Sequence, residues 1–348
     1  MSNPKVSIII PHWNGIEVLS ECLESLAQTK YSNIEIIIVD NASTDGSSDW
    51  IAINFPEVIV VNNNKNYGYA GGCNRGAKVA RGDYLVFLNN DTIQEKNWLS
   101  NLVSFMNNHP DCAAVQPKIL NYYERDKFDY AGGSGGHMDV LCYPFARGRL
   151  FLEQEIDNKQ YDDDTQCFWA SGTAIMVRKK YFLEVEKFDE NFFAHMEEID
   201  LCWKLQLKGY KVYVNPKSVV YHKNAVSLPM TSLKKFMLNH RNSIIMLLSN
   251  YKLFTTLYLF PIRYSLELIA IIYALSKLDF KHMFGVIQAH LWLLFHIHII
   301  FIRRRKIRRL RLINDYEIMK SMHKGSIIWD HYIRRKKTFR EIYFSPSS

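Results

Sequence analysis

The sequence predicts an α/β fold with a parallel sheet covered on both faces, followed by an apolar and basic helical region. Three observations carry that reading. Short, continuous apolar runs alternate with helical patterns through the first hundred residues, which is how strands buried on both faces read. Successive runs end in Asn or Asp, so polar groups gather on the carboxyl edge, where open α/β sheets bind ligands. After about residue 228 the composition turns strongly apolar and then basic.

Val6 to Ile10 reads as a strand stopped by Pro11, entered directly from Met1 to Lys5 without a secretory signal pattern. Val18, Leu19, Cys22, Leu23 and Leu26 fall at helical spacing. Ile34 to Val39 is a second strand, running into the polar stretch Asp40 to Ser47. Asp40 stands where a nucleotide-binding fold places the acid that meets a base or ribose, with an Asx turn as the plain alternative. A third strand, Val58 to Val61, ends at Asn62 to Asn66. The Gly-rich stretch Tyr67 to Gly76 opens a helix expected at Asn74 to Ala80, and its glycines would let the backbone approach an anionic ligand. It has the spacing of neither the dinucleotide fingerprint nor the P-loop.

Tyr84 to Leu88 is the strand around which the site is organised. It delivers Asn89-Asn90-Asp91 to the carboxyl edge, and an Asp there suits Mg²⁺ or Mn²⁺ bridging phosphate oxygens. Trp98 to Met106 continues as a helix. Residues 121 to 165 look irregular, with Gly132 to Gly136 as a candidate mobile loop. Arg147 and Arg149, flanking Gly148, are placed to hold phosphate or simply to be solvated. Phe168 to Val177 reads as a loop entering a strand. Glu197, Glu198 and Asp200 then open a helix that stops at Gly209. One acid suffices to complement a helix dipole, so the surplus points to a general base. Strands Lys211 to Val214 and Val219 to Tyr221 follow, the second ending at His222, a second metal ligand if it meets Asp91.

The ordered stretches VSIIIPHWNG (6 to 15), IIVDNASTDGS (37 to 47), NYGYAGGCNRG (66 to 76), FLNNDT (87 to 92), SGTAIMVRKKYF (171 to 182), KFDENFFAHMEEIDLCWKLQLKGYKV (187 to 212) and VVYH (219 to 222) resemble a family 2 glycosyltransferase. The resemblance implies the GT-A fold, a nucleotide-binding mixed sheet flanked by helices, over residues 1–228. The rhamnosyltransferase-like branch is the nearest in overall pattern. Carried over by position, Pro11 and Asn14 would line the nucleotide pocket. Asp40 and Asn41 would meet the base, and Asn66, Gly68, Gly71 and Asn74 would shape the ribose and diphosphate side. Asn89-Asn90-Asp91 occupies the D-x-D position, with Asn in place of the first acid. Asp91 and His222 would hold the Mg²⁺ or Mn²⁺, and Glu198, with Glu197 as the alternative, would be the base. The implied reaction is an inverting transfer from a nucleotide diphosphate sugar to a glycan or lipid-linked acceptor in cell-surface polysaccharide synthesis.

Residues 229–348 are expected to attach the protein to the cytoplasmic face of the cell membrane. Met283 to Ile302 carries no Asp, Glu, Lys or Arg and is followed by the basic run from Arg303 to Arg309. Interfacial helices are preferred over a single transmembrane span at 283–302 and over a helical subdomain or homo-oligomer contact with a solvated charge run. Arg263 and Glu267 are spaced i, i+4 to pair on a helix. The net charge of +8 and pI near 9.0 suit anionic partners, but no nucleic-acid-reading module accompanies them. Six cysteines without a C-x-x-C pair argue against a zinc ribbon or disulfide framework. The rival to an enzyme is a non-catalytic nucleotide-sugar or glycan-binding subunit on the membrane, which has no need of the Glu197-Glu198 acids.

Overall fold

The computed structural model describes residues 3–224 and 232–344. The chain begins β1 (Val6–His12), α1 (Ile16–Leu26), β2 (Ile34–Asp40), α2 (Ser47–Asn54), β3 (Ile59–Asn62), α3 (Gly68–Val79) and β4 (Tyr84–Leu88). It continues through β5 (Thr92–Gln94), α4 (Trp98–Asn108) and the ten-residue β6 (Cys112–Asn121). Four short strands follow, β7 (Gly136–Met138), β8 (Pro144–Ala146), β9 (Arg149–Leu150) and β10 (Glu153–Gln154). Then come β11 (Thr165–Gln166), β12 (Ala174–Arg178), α5 (Lys179–Glu184), α6 (Glu197–Leu207) and β13 (Lys211–His222).

The main sheet has nine strands in the order β11-β13-β6-β12-β4-β1-β2-β3, with β5 paired to β13. Strands β4, β1, β2 and β3 run parallel. Strand β12 is antiparallel to both β4 and β6, and two reversals bring β6 and β13 back to the direction of β4. The ends of β1, β2, β4 and β13 therefore share one edge, and the sheet is mixed rather than all parallel.

Several expectations are corrected. Strand β1 runs through Pro11 to His12; the β4 side of its ladder ends at Ile9, so a missing N–H beyond that point is tolerated. Helix α3 starts at Gly68, not Asn74, and its glycines serve packing rather than an open loop. A Cβ on Gly76 would lie 2.4 Å from Ile9 Cγ2, and one on Gly72 3.0 Å from Pro11 Cβ, so α3 rides close on the sheet. Helix α2 escaped notice because its only buried side chains are Ser47 and Ile51. The two late strands are one, irregular in register between Asn215 and Val219. The region 121 to 165 is not a structureless loop: β7 to β10 make a small antiparallel sheet, and Gly132 to Gly136 are buried and lead into its first strand.

The boundary expected at 228/229 falls outside the described residues. Beyond it lie α7 (Leu233–Asn250), α8 (Leu253–Ser276), α9 (Phe280–Phe295) and α10 (Ile297–Leu310). They share a hydrophobic core with the sheet, in which Ile244 to Leu247, Leu259, Ile300 and Ile307 join Trp203 and Phe168. The alternative of one span at 283–302 meets a break: α9 and α10 join at a 73° bend. Among the described residues, the helix long and apolar enough to cross a bilayer is α8 instead. Two short helices, α11 (Asp315–Met319) and α12 (Phe339–Phe344), close the chain, and Ile327 and Phe339 pack on Phe128, Phe145 and Tyr161 of the small sheet region. All six cysteines are buried free thiols.

Helix α8 is inside out. Its charged residues face the protein: Arg263 and Glu267 are 1% and 0% exposed and pair at 2.6 Å. Its hydrocarbon faces outward, with Phe254 84% and Ile272 66% exposed. Helix α10 contributes the other deep pair. Arg303, first of the basic run, is buried between Asp189 and Asp200, with Nη2 2.6 Å from Asp200 Oδ1.

Removing one partner of a buried ion pair leaves an uncompensated charge. Arg303→Ala should therefore cost roughly 3–5 kcal/mol, read as a lower urea midpoint. Arg308→Ala, an exposed member of the same run, should leave the midpoint unchanged.

Candidate active site

The shared edge brings Asp91 and His222 together. Thr92 of β5 pairs with His222 of β13, and the Lys223 N–H donates to the Asp91 carbonyl at 2.9 Å, so the two residues meet by register. His222 Nε2 lies 3.2 Å from Asp91 Oδ1, and both side chains are buried. On the far side, His222 Nδ1 lies 2.9 Å from Asp129 Oδ1. Asp129 is fully buried and is itself held by the Ala131 N–H at 2.7 Å and by the Asn224 amide. Burial works against a charged His222, but Asp91 and Asp129 overcome it and raise the ring to about 10. Burial likewise opposes ionisation of Asp91, and His222 outweighs it, keeping the carboxyl below its usual range.

A carboxylate oxygen and an imidazole nitrogen 3.2 Å apart, with the ring's other nitrogen fixed by an acid, suit a divalent cation that would replace the proton between them. Asp91 and His222 would supply two protein ligands to such a cation, and Asn89 lies 3.4 Å from His222 Nε2. Asp129 was not anticipated; a lone Asp between Phe128 and Tyr130 offers no pattern until the β6 to β7 connection is folded.

Asn90 turns the other way. Its amide donates to His12 Nδ1 at 2.9 Å, so His12 carries its proton on Nε2 and donates to Ser47 Oγ at 2.9 Å. Ser47 in turn donates to Asp45, whose other oxygen accepts the Gly15 N–H at 2.7 Å. Burial holds His12 below the usual imidazole range. This buried relay ties the ends of β1, β2 and β4 together, and sequence reasoning missed it.

The expected nucleotide-side residues line the same edge, but most are engaged with the protein. Asp40 forms the Asx turn: Oδ1 accepts the Ser43 N–H at 2.9 Å and Oδ2 the Ser48 hydroxyl at 2.7 Å. Asn14, at φ 55°, accepts the Thr44 N–H at 2.8 Å, and Asn41 donates to the Gly68 carbonyl at 3.2 Å. Asn66 caps α3 by accepting the Gly68 N–H at 2.8 Å. Gly68, at φ +71°, admits the Phe193 carbonyl, which would lie 2.3 Å from a Cβ. Gly71 faces Tyr67 and Arg75. Asn74 departs from the expected pocket: its side chain bonds both the N–H and the carbonyl of Phe188.

Glu197 and Glu198 begin α6 after a loop with positive φ at Phe193, His195 and Met196. Helix α7 holds that loop. The Asn242 amide donates to the carbonyls of Phe192, Ala194 and His195, and Arg241 to those of Asn191 and Phe192. Glu198 is half-buried and lies over Gly172, whose Cβ would meet Glu198 Cδ at 3.6 Å. Thr173, next in the chain, accepts the Asn89 N–H at 2.9 Å, so Glu198 stands over the end of β4. Burial raises Glu198 to about 7 and, with the Glu198 charge, lifts Glu197 well above the carboxylate range. Each has an Oε2 without a partner. Asp200 is spent on Arg303 and does not face the cleft.

Residues 7–184 match the family described as Glycosyl transferase family 2. The O-antigen biosynthesis protein RfbC of Myxococcus xanthus is 28% identical over 233 residues, 64% of this chain but 18% of that protein. The glycosyltransferase GlyG of Streptococcus pneumoniae is 27% identical over 234 residues, 65% of this chain and 73% of its own. The chain thus spans only a small part of RfbC and most of GlyG. Among solved structures, mannosyltransferase PcManGT from Pyrobaculum calidifontis, in complex with GDP-Man and Mn²⁺, aligns with TM-score 0.53 at 15% identity, covering 84% of this chain and 87% of that one. GalNAc-T7 with UDP, GalNAc and Mn²⁺ aligns with TM-score 0.55 at 17% identity, over 70% of this chain and 47% of that one. Identities this low speak to the fold alone, which is GT-A. With the family match running over residues 7–184 of 348, just over half the chain, this protein belongs to glycosyl transferase family 2.

Proposed function

We propose that the protein transfers a sugar, with inversion and with Mg²⁺ or Mn²⁺, from a nucleotide diphosphate donor to a glycan or lipid-linked acceptor of a cell-surface polysaccharide. Rhamnose, the sugar of the branch it resembles, is the first donor to test. The observation that carries the reading is the buried pair Asp91 Oδ1 and His222 Nε2, 3.2 Å apart, with Asp129 behind the ring. The bound cation would neutralise charge growing on the leaving diphosphate. Asp129 accepts from Nδ1 and so leaves Nε2 as the nitrogen that faces Asp91. Glu198 takes the proton of the acceptor hydroxyl while that oxygen bonds to the anomeric carbon and the bond to the diphosphate breaks. One displacement inverts the centre and requires no covalent enzyme intermediate. Asp40, Asn41, Asn14 and Pro11 shape the base side through the turns they hold rather than by free side chains. The GT-A neighbours crystallised with Mn²⁺ and UDP or GDP-Man support a nucleotide sugar donor.

Asp91→Ala should abolish metal-dependent release of nucleoside diphosphate, and transfer at the normal rate would refute the site. Asp129→Asn should weaken Mn²⁺ activation about 10–100-fold while preserving the fold, because it removes the acid that orients the His222 ring. Glu198 is neutral below about pH 7 and charged above, so turnover should rise with pH through that value. Its raised value also means that ionising it costs folding stability as pH rises from the unfolded carboxyl range to about 7. Glu198→Gln should accordingly bind donor, fail to turn over, and melt no lower than wild type at pH 8. A variant that turns over normally would pass the role to Glu197.

The outward hydrocarbon of α8 and the exposed Arg305, Arg308 and Arg309 support attachment to an anionic membrane surface, with the cytoplasmic face the one that carries donor. Basic residues near such a surface contribute about 1 kcal/mol each. The double change Arg305→Gln, Arg309→Gln should weaken binding to phosphatidylglycerol vesicles by roughly 2 kcal/mol, and Ile269→Asp with Ile272→Asp should remove it. Unchanged sedimentation with vesicles in both variants would rule the surface out.

A further inference from the structure

Arg149 is a buried cation with no ion pair among the described residues, Asp129 acting on it only from beyond contact distance. It is 7% exposed, its Nε is buried with no hydrogen-bond partner, and Nη1 reaches only the Phe151 carbonyl at 3.4 Å. Among the described residues no carboxylate lies within ion-pair distance of it. Arg147, two residues earlier, shows the ordinary arrangement, with its guanidinium on Asp163. Gly148 separates them at φ +94°, where a Cβ would strike the Phe128 ring, so the turn fixes which way each arginine leaves the chain.

A second cation shares the spot. The Arg149 guanidinium lies 4.8 Å from the centroid of the Tyr130 ring, and the Lys235 ammonium lies 5.5 Å from the same centroid. Burial lowers the pKa of both, and the Arg149 charge lowers Lys235 further. Lys235 stands in the first turn of α7, where Ser232 caps its N–H at 3.2 Å, so the positive end of an 18-residue helix adds to the field. A buried charge is costly unless compensated. Arg149 has no carboxylate at ion-pair distance among the described residues; the negative charge that acts on it from farther away is Asp129, the acid that holds His222. Arg149 therefore sits beside the reaction centre.

We propose that Arg149, with Lys235 and the opening turn of α7, forms a phosphate-binding subsite next to the Asp91–His222 pair and receives a phosphate or diphosphate of one of the two substrates. The assignment rests on the glycosyltransferase reading above for its occupant, and on Arg149 for its chemistry. A guanidinium offers paired N–H donors that match phosphate oxygens, and here they are already desolvated. The occupant is either the donor's diphosphate or a phosphate carried by the acceptor.

The test is calorimetric titration of inorganic pyrophosphate into the full-length protein in EDTA, which takes the metal ligands out of play. Wild type and Asp91→Asn should bind alike, Arg149→Gln at least tenfold more weakly, and Arg149→Lys in between. Lys235→Gln, at the helix start, provides a second variant and should weaken binding severalfold. The ligand-free melting temperature of Arg149→Gln should equal or exceed that of wild type, since a lone buried cation has been removed; an arginine serving only the fold would lower it. Equal pyrophosphate binding by wild type and both neutral variants, or none by wild type, would overturn the subsite. Titration of UDP and GDP with Mn²⁺ then separates the sources. A tenfold loss in Arg149→Gln identifies the donor's diphosphate, and unchanged nucleotide affinity with lost pyrophosphate binding identifies the acceptor's phosphate. Failure of wild type to bind either nucleotide with Mn²⁺ would count against the donor assignment, while leaving the pyrophosphate result intact.

Discussion

A single imidazole, buried between two carboxylates from different parts of the chain, is the constraint on which the site depends. His222 ends β13, Asp91 follows β4, and Asp129 lies in the connection after β6. These segments meet only because β12 reverses direction between β4 and β6, and because Thr92 pairs with His222. Side chains alternate along a strand, so a slip of one residue in β13 would turn Tyr221 or Lys223 toward Asp91. The irregularity between Asn215 and Val219 lies upstream of that ending, and the register recovers before it reaches His222. The sheet is thus the device that fixes a three-residue charge arrangement, and the surrounding hydrogen bonds refine it.

The C-terminal helices belong to the same apparatus. Asn242 and Arg241 of α7 hold the carbonyls of a loop whose backbone has positive φ at three non-glycine residues, immediately before Glu197 and Glu198. Such conformations persist only when neighbours enforce them. Arg303 of α10 fastens the first turn of α6 through Asp200 and the preceding loop through Asp189. The two acids over the cleft are therefore aimed from behind by helices that follow the sheet in sequence.

Most of this sheet and half of the site were legible in the sequence, for a physical reason: strands buried on both faces write their length directly as apolar runs, and polar residues at their ends mark one edge. That logic found Asp91, His222 and the acids at 197 and 198. It failed where a residue's partner is chosen by tertiary contact. Asp40 reads as a ligand-binding acid, yet Ser43 and Ser48 already occupy its oxygens. The glycines of α3 read as a loop, because nothing local reveals that Ile9, Pro11 and Phe193 crowd them. His12 and Asp129 carry no spacing signature at all. The arginines at 147 and 149 look equivalent in sequence, and only the position of Asp163 distinguishes them. In 283–302, length and composition suggested one span, but the chain bends at His296, where α9 ends.

The reversed polarity of α8 has a consequence for how the chain comes into being. The ions on its inner face find their partners only after α7 and the Leu141 to Tyr143 segment are in place, since Arg263 bonds the Leu141 carbonyl and Ser243 as well as Glu267. Until then a nascent helix presents charge on one side and hydrocarbon on the other, with the sheet needing the first and water rejecting the second. Off the ribosome, such a segment self-associates as its concentration rises unless another apolar phase receives it.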